Sequence, residues 1–166
     1  MDDSSHLIAS AVERLIAAGI RLHGALAKRL ESTPTDVLAL QYVVRQTESA
    51  PGDLARALLL SPSGATATID RLSRAGLISR APGSGKQRVV LEATDTGREL
   101  HARALAPLSH GIGPLIEGVP RSQRALLEQL LTRLADLAER EADRLIARAE
   151  ADARAAAAIP PPVLWS

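Results

Sequence analysis

The chain has no cysteine and no phenylalanine, and only one tyrosine, Tyr42, and one tryptophan, Trp165. Without cysteine there can be no disulfide, thiolate metal site or thiol-based redox sensor. Without phenylalanine the core must be aliphatic, built of Ala, Leu, Ile and Val, which suits packed helices better than a sheet-rich domain. Charge of one sign is also scarce. Twenty basic residues against nineteen acidic ones leave a formal net charge of +1, so attraction to nucleic acid is not written into the whole chain. No apolar run approaches the roughly 18 residues of a membrane span, and the acidic start Met1-Asp2-Asp3 is not a signal peptide. A cytoplasmic location without membrane contact is expected. Catalytic signatures are missing too: no Gly-rich loop opens a helix after a strand, and no serine sits in an elbow motif, so an enzyme is not expected. The four histidines, His6, His23, His101 and His110, lack the close helical spacing of metal pairs, and neither metal nor cofactor is implied.

What is present concentrates between residues 53 and 77. Residues 53–59 place Leu54, Ala57 and Leu58 on one side of a short helix. Leu60-Ser61-Pro62 stops it. Ser61 can cap the following helix, Pro62 fits its first position, and Gly76 ends it after Ala75. In that second helix Ala65, Ile69 and Leu72 form an inward stripe. Ser63, Thr66, Ala67, Asp70 and Arg74 face outward, with Arg71 beside them. Short side chains near the start and arginines further along are what a helix laid in a DNA groove needs. From 53 to 88 there are six basic residues, Arg56, Arg71, Arg74, Arg80, Lys86 and Arg88, against two acids, Asp53 and Asp70.

A β-hairpin is expected next. Residues 77–80 are β-prone, 82–86 are turn-forming, and 88–93 alternate, with Val89, Leu91 and Ala93 on one face and Arg88, Val90 and Glu92 on the other. A helix-turn-helix followed at once by a basic-tipped hairpin is the winged variant. The ordered set DRL-x-x-AGL-x-x-R, basic hairpin and AT-x-x-G resembles the MarR family of winged-helix transcription regulators over roughly residues 33–108. The resemblance implies that Ser63, Gly64 and Thr66 face bases, Arg71 and Arg74 face phosphates, and Lys86 with Arg88 makes the wing contact, with Ser61, Thr68 and Arg80 completing the interface. It also implies a small-molecule effector in a cleft that His23, Tyr42, Arg98 and His101 could line. Two departures stand out. Many relatives carry Arg or Lys where this chain has Ala67 and Thr68, and an Asp near the wing tip where it has Gly85.

The flanking segments read as helices. Over about 5–30, Ile8, Val12, Leu15, Gly19, Leu22 and Leu26 recur at 4-3-4-3-4 spacing, a narrow seam that fits either a core helix or one crossing a dimer interface. Thr33 and Pro34 start a helix that runs to about Gln46, with Val37, Leu38, Gln41 and Val44 along it, and 47–52 reads as a loop. Thr94 can cap a helix carrying Leu100, Ala104 and Leu108, with a kink or interruption expected between Ala106 and Pro114. From Pro120 a long helix bears a broad leucine face, with seven arginines balanced by seven acids, so it is not a second nucleic-acid patch.

The expected architecture is mainly α with a small β-hairpin wing, a single structural domain. Residues 1–32 form an N-terminal dimerisation helix, 33–94 the winged helix-turn-helix, 95–154 helices completing the dimerisation region, and 155–166 a disordered tail or a docked one. The expected function is a homodimeric regulator of transcription, a repressor that binds an inverted-repeat DNA operator and is released by a small molecule. The alternative is a helical dimeric interaction protein whose DNA binding is weak or lost, as Ala67, Thr68 and Gly85 would permit.

Overall fold

The computed structural model describes residues 3–46, 48–83 and 89–157. In chain order these form α1 (Asp3–Arg29), α2 (Pro34–Arg45), α3 (Pro51–Ala57), α4 (Pro62–Arg74), β1 (Ile78–Pro82), β2 (Val89–Ala93), α5 (Asp95–Glu117) and α6 (Arg121–Ala157). Helices with a single two-stranded hairpin are what the sequence led us to expect. The chain divides into two compact units, residues 1–109 and 110–166.

Local chemistry explains most of the helix starts in the first unit. Thr33 caps α2 by accepting from the Asp36 N–H, and Asp36 accepts back from the Thr33 N–H, a capping box with Pro34 in the first turn. Ser61 caps α4 by accepting from the Gly64 N–H at 3.1 Å. At its far end Gly76 takes φ +68°, a left-handed conformation that glycine adopts without penalty. The shorter helix α3 begins two residues earlier than the sequence implied. Pro51 presets the helical φ of the first position, so Pro51 and Gly52 belong to the helix and not to a loop. It also ends earlier, because Leu59 turns left-handed at φ +55°.

The core is aliphatic, as the composition requires. Ala39, Leu40 and Val43 of α2 meet Leu54 of α3, Ile69 and Leu72 of α4, Ile78 of β1 and Leu91 and Ala93 of β2. The expected inward stripe of α4 is buried, and Thr68 is buried with it. On α2, of the residues named along it, Leu38 is exposed, while Ala39 is fully enclosed. The small Ala39 side chain lets neighbouring elements approach, a role that a count of large aliphatics overlooks.

The hairpin is antiparallel, in register from Ile78 opposite Ala93 to Pro82 opposite Val89. Its base is extended by Ser49, whose carbonyl accepts from the Leu91 N–H at 2.7 Å. Val90, expected on the outer face, is buried along with Leu91. Two consecutive residues in the middle of β2 are therefore buried, and alternation holds only from Leu91 through exposed Glu92 to buried Ala93.

A second clamp joins α4 to α5. Thr94 Oγ1 donates to the Gly76 carbonyl at 2.7 Å and accepts from the Gly97 N–H at 3.0 Å, while the Thr94 N–H donates to the Leu77 carbonyl at 3.1 Å. Thr94 thus caps α5 and ties it to the end of α4. Gly97 is buried against this corner.

The break expected between Ala106 and Pro114 is absent: α5 is a continuous helix through both prolines. Each proline deletes one backbone hydrogen bond, and the turns on either side keep theirs, so the helix propagates across. In the second unit α6 covers 37 residues, about 55 Å at 1.5 Å per residue. It continues over 155–157, where an extended tail was expected, because consecutive alanines are the best helix formers. The remainder of that tail, 158–166, lies outside the described residues. Among the described residues no helix is long and apolar enough to cross a membrane.

Candidate nucleic-acid interface

Burial sorts the residues of α4 into two faces. Ala65, Thr68, Ile69 and Leu72 point inward, and Ser63, Thr66, Ala67, Arg71 and Arg74 are exposed. The outer face is therefore short and polar for its first two turns and cationic after them, the profile of a helix whose start can approach base edges. Gly64 permits close approach near the start, and a Cβ there would meet the capping Ser61 hydroxyl at 3.2 Å.

Several expected contacts are qualified by what these side chains already bond. Thr68 is 2% exposed and accepts from Arg71 Nη2 at 3.1 Å, so it is removed from the interface; it packs inward because it falls one turn from Ala65 and Leu72. The Ser61 hydroxyl is committed to capping α4. Thr66 Oγ1 donates to the Pro62 carbonyl at 2.9 Å, which leaves its lone pairs and methyl group outward. Arg71 is drawn back toward α2 by Asp36, a pairing that sequence inspection missed because the two residues are 35 positions apart. Arg80 Nη2 donates to Asp70 Oδ1 at 2.6 Å, bracing β1 of the hairpin against α4. Both partners of that pair are exposed, so its contribution to stability is at most about 1 kcal/mol. Arg74 has no ion-pair partner among the described residues. Lys86, Arg88 and Gly85, the wing-tip positions, lie outside the described residues.

Asp36 is nearly enclosed. Burial alone would raise its carboxyl pKa, but hydrogen bonds from Arg71 and Thr33 outweigh that and hold it below the ordinary 3.8. It is ionised at neutral pH, and its stabilising effect is lost only as the pH falls below that value.

The four residues placed near an effector cleft separate. His101 lines a cavity of about 20 Å³ with Leu26, Leu40, Gln41, Leu100 and Leu105. His23 does not line it but bonds to one of its walls, its Nδ1 donating to the Gly19 carbonyl and its Nε2 lying 2.9 Å from the Gln41 side-chain amide. Tyr42 packs on the core instead, and Arg98 pairs with exposed Asp95 at 3.7 Å. A space of that size holds about one water molecule and no aromatic ligand.

His101 Nε2 is buried with no hydrogen-bond partner among the described residues. Burial, and then the charge of Arg45, push its pKa below the ordinary 6.5. The unfolded chain takes up this proton at a higher pH than the folded one does, so stability must fall as pH drops through about 6.5 and level off below the folded value. Thermal midpoints measured from pH 7.5 to 5.5 should show this loss in the wild type and a shallower one in His101→Gln; identical profiles would refute the assignment.

Residues 33–88 match the family model described as MarR family. That stretch contains α2, both helices of the helix-turn-helix and β1, and stops just before β2. Over that stretch the chain is similar to the MarR family. A curated relative, the uncharacterized HTH-type transcriptional regulator YcgE of Bacillus subtilis (strain 168), is 28% identical over 145 residues, covering 85% of this chain and 94% of that protein. Among solved structures, a MarR family protein from Bacillus stearothermophilus superposes with a TM-score of 0.62 at 20% identity, covering 84% of this chain and 99% of that one. The Mycobacterium tuberculosis MarR family protein Rv2887, solved in complex with p-aminosalicylic acid, superposes with a TM-score of 0.52 at 19% identity, covering 76% and 97%. These structures share the MarR fold. The matches agree on a MarR-like winged helix-turn-helix fold for this chain.

Proposed function

We propose that this protein is a non-enzymatic, cytoplasmic, homodimeric repressor that binds an inverted-repeat operator and is released by a small molecule. The observation that carries the DNA reading is the outer face of α4, where Ser63, Gly64 and Thr66 precede the cations Arg71 and Arg74 beside a hairpin braced by Arg80. Ser63, Gly64 and Thr66 approach base edges, Arg74 and Arg71 meet phosphates, and Arg80, Lys86 and Arg88 serve the wing. Residues 33–94 read the operator, and 1–32 with 95–154 dimerise.

Dimerisation is supported by aliphatic side chains left in solvent. On α1, Leu7, Ile8, Leu15, Ile16 and Ile20 are each more than half exposed, and on α6 so are Leu126 and Leu145. Apolar faces of this extent on two helices call for a partner, and a second copy is the economical one. A two-fold dimer presents its recognition helices about one duplex turn apart.

Effector release is supported by the cavity at His101 and by the ligand in Rv2887, an aromatic acid. Because the cavity is so small, a ligand must open it, and it acts only by preferring one spacing of the recognition helices over another. Selection of bound sequences from a randomised duplex pool tests the reading. It should return an inverted repeat with half-sites about one helical turn apart; a pool with no enriched two-fold sequence contradicts it.

A further inference from the structure

Arg71 is held by one edge. Its Nε lies 3.2 and 3.1 Å from Asp36 Oδ1 and Oδ2, and its Nη2 donates to Asp36 Oδ1 at 2.7 Å and to Thr68 Oγ1 at 3.1 Å. Its Nη1 has no hydrogen-bond partner among the described residues. The Arg71 side chain keeps 42% of its surface, while Asp36 keeps 5%. Asp36 is itself fixed, because the Ser32 hydroxyl and the Thr33 N–H both donate to Oδ2. A continuous chain of bonds therefore runs from the start of α2, through a buried carboxylate, to a guanidinium on the outer side of α4.

We propose that Asp36 is a positioning residue for DNA binding: it locks Arg71 by its Nε/Nη2 edge so that the Nη1 side is presented to a phosphate of the bound duplex. This rests on the reading of α4 as the DNA-facing helix. An arginine free in solvent loses its rotamer freedom when it meets a phosphate, whereas a clamped one has lost it on folding. The fork geometry of the guanidinium allows one edge to face a carboxylate while the other faces a second anion.

Simple electrostatics predicts the opposite sign, which makes the inference testable. Asp36 adds a negative charge near the phosphates, so neutralising it would strengthen binding if charge alone mattered. Duplex affinity should be measured by fluorescence anisotropy at one salt concentration for wild type, Asp36→Asn, Arg71→Gln and the double variant, with thermal unfolding to confirm that each folds. Asp36→Asn should weaken binding about tenfold, the scale of one charge-assisted contact. In the Arg71→Gln background the same change should have no further effect, because Asp36 acts through Arg71. Binding of Asp36→Asn as tight as wild type or tighter, or an equal loss in both backgrounds, overturns the proposal.

Should Asp36→Asn fail to fold, Arg71→Lys replaces it. Lysine keeps the charge but cannot occupy both anions as a fork, so it should bind as weakly as Arg71→Gln; wild-type affinity in that variant refutes positioning. If the wild type itself binds no duplex, the DNA reading falls and takes the inference with it. If the wild type binds and the variants do not weaken as stated, the inference alone falls.

Discussion

Gly97→Ala should destabilise the protein by about 3 kcal/mol or more. A Cβ at this position would lie 2.0 Å from the Leu77 carbonyl oxygen, 3.0 Å from its carbonyl carbon and 3.3 Å from Leu40 Cδ1. The nearest obstacle is backbone, which cannot rotate away as a flexible side-chain end would. That same carbonyl accepts from the Thr94 N–H, so moving it breaks the clamp between the end of α4 and the start of α5. The loss should appear in urea unfolding as a midpoint lowered by about 1 M or more at unchanged slope. Gly52→Ala serves as the control, since nothing lies within 4 Å of its Cβ, and it should be neutral or slightly stabilising. A Gly97→Ala protein with a wild-type midpoint would show that the corner between Leu77 and Gly97 is looser than its geometry implies.

Leu54→Ala should cost about 3 kcal/mol, within the usual range of about 2–5 for a buried leucine. Leu54 is completely enclosed and, with Ile69 and Leu91, among the largest fully buried side chains. It joins α3 to the cluster that holds α4 through Ile69 and Leu72. Truncation removes buried apolar surface and leaves a cavity that short, rigid α3 cannot collapse to fill. Because α4 is seated on the same cluster, duplex affinity should fall at temperatures where the variant is still mostly folded. Leu58→Ala, at a partly buried residue that caps the end of α3, should cost visibly less. A loss below about 1 kcal/mol for Leu54→Ala would place the core elsewhere.

These positions also show what the sequence could and could not reveal. The two faces of α4 were legible because strong local signals agree there: a serine cap, a proline in the first turn, a glycine stop and an aliphatic stripe at helical spacing. Thr94 was legible for the same reason. Thr68 was not, because a hydroxyl reads as polar until its neighbours are known, and here it lies in the core beneath Arg71. Nor was the Asp36–Arg71 pair, since nothing local links residues so far apart, and Asp36 already looked accounted for as part of a helix start. Pro107 and Pro114 misled in the other direction. They lower helix propensity locally, but the assignment of α5 depends on all its turns, and most of those carry good helix formers. Alternation along 88–93 fails at Val90 because it assumes one solvent face, whereas Val90 and Leu91 in the middle of β2 are both buried.

The small cavity at His101 carries a similar lesson for the effector. Of the four residues picked by position, only His101 lines the cavity, with His23 bonded to Gln41 of its wall, because Tyr42 turns to the core and Arg98 to solvent. Any ligand that acts there must first separate side chains that are in contact, and its affinity is reduced by the rarity of the open state.

The central claim is that the outer face of α4 binds duplex DNA. It is tested most directly by titrating the full-length protein with a labelled duplex spanning the DNA upstream of its own gene, and with a scrambled duplex, across a series of salt concentrations. The account predicts preference for the upstream duplex, with log affinity falling linearly against log salt as phosphate contacts release counterions. No binding to either duplex at the lowest salt would contradict it, and would leave the helices as an interaction scaffold that has lost its hold on DNA.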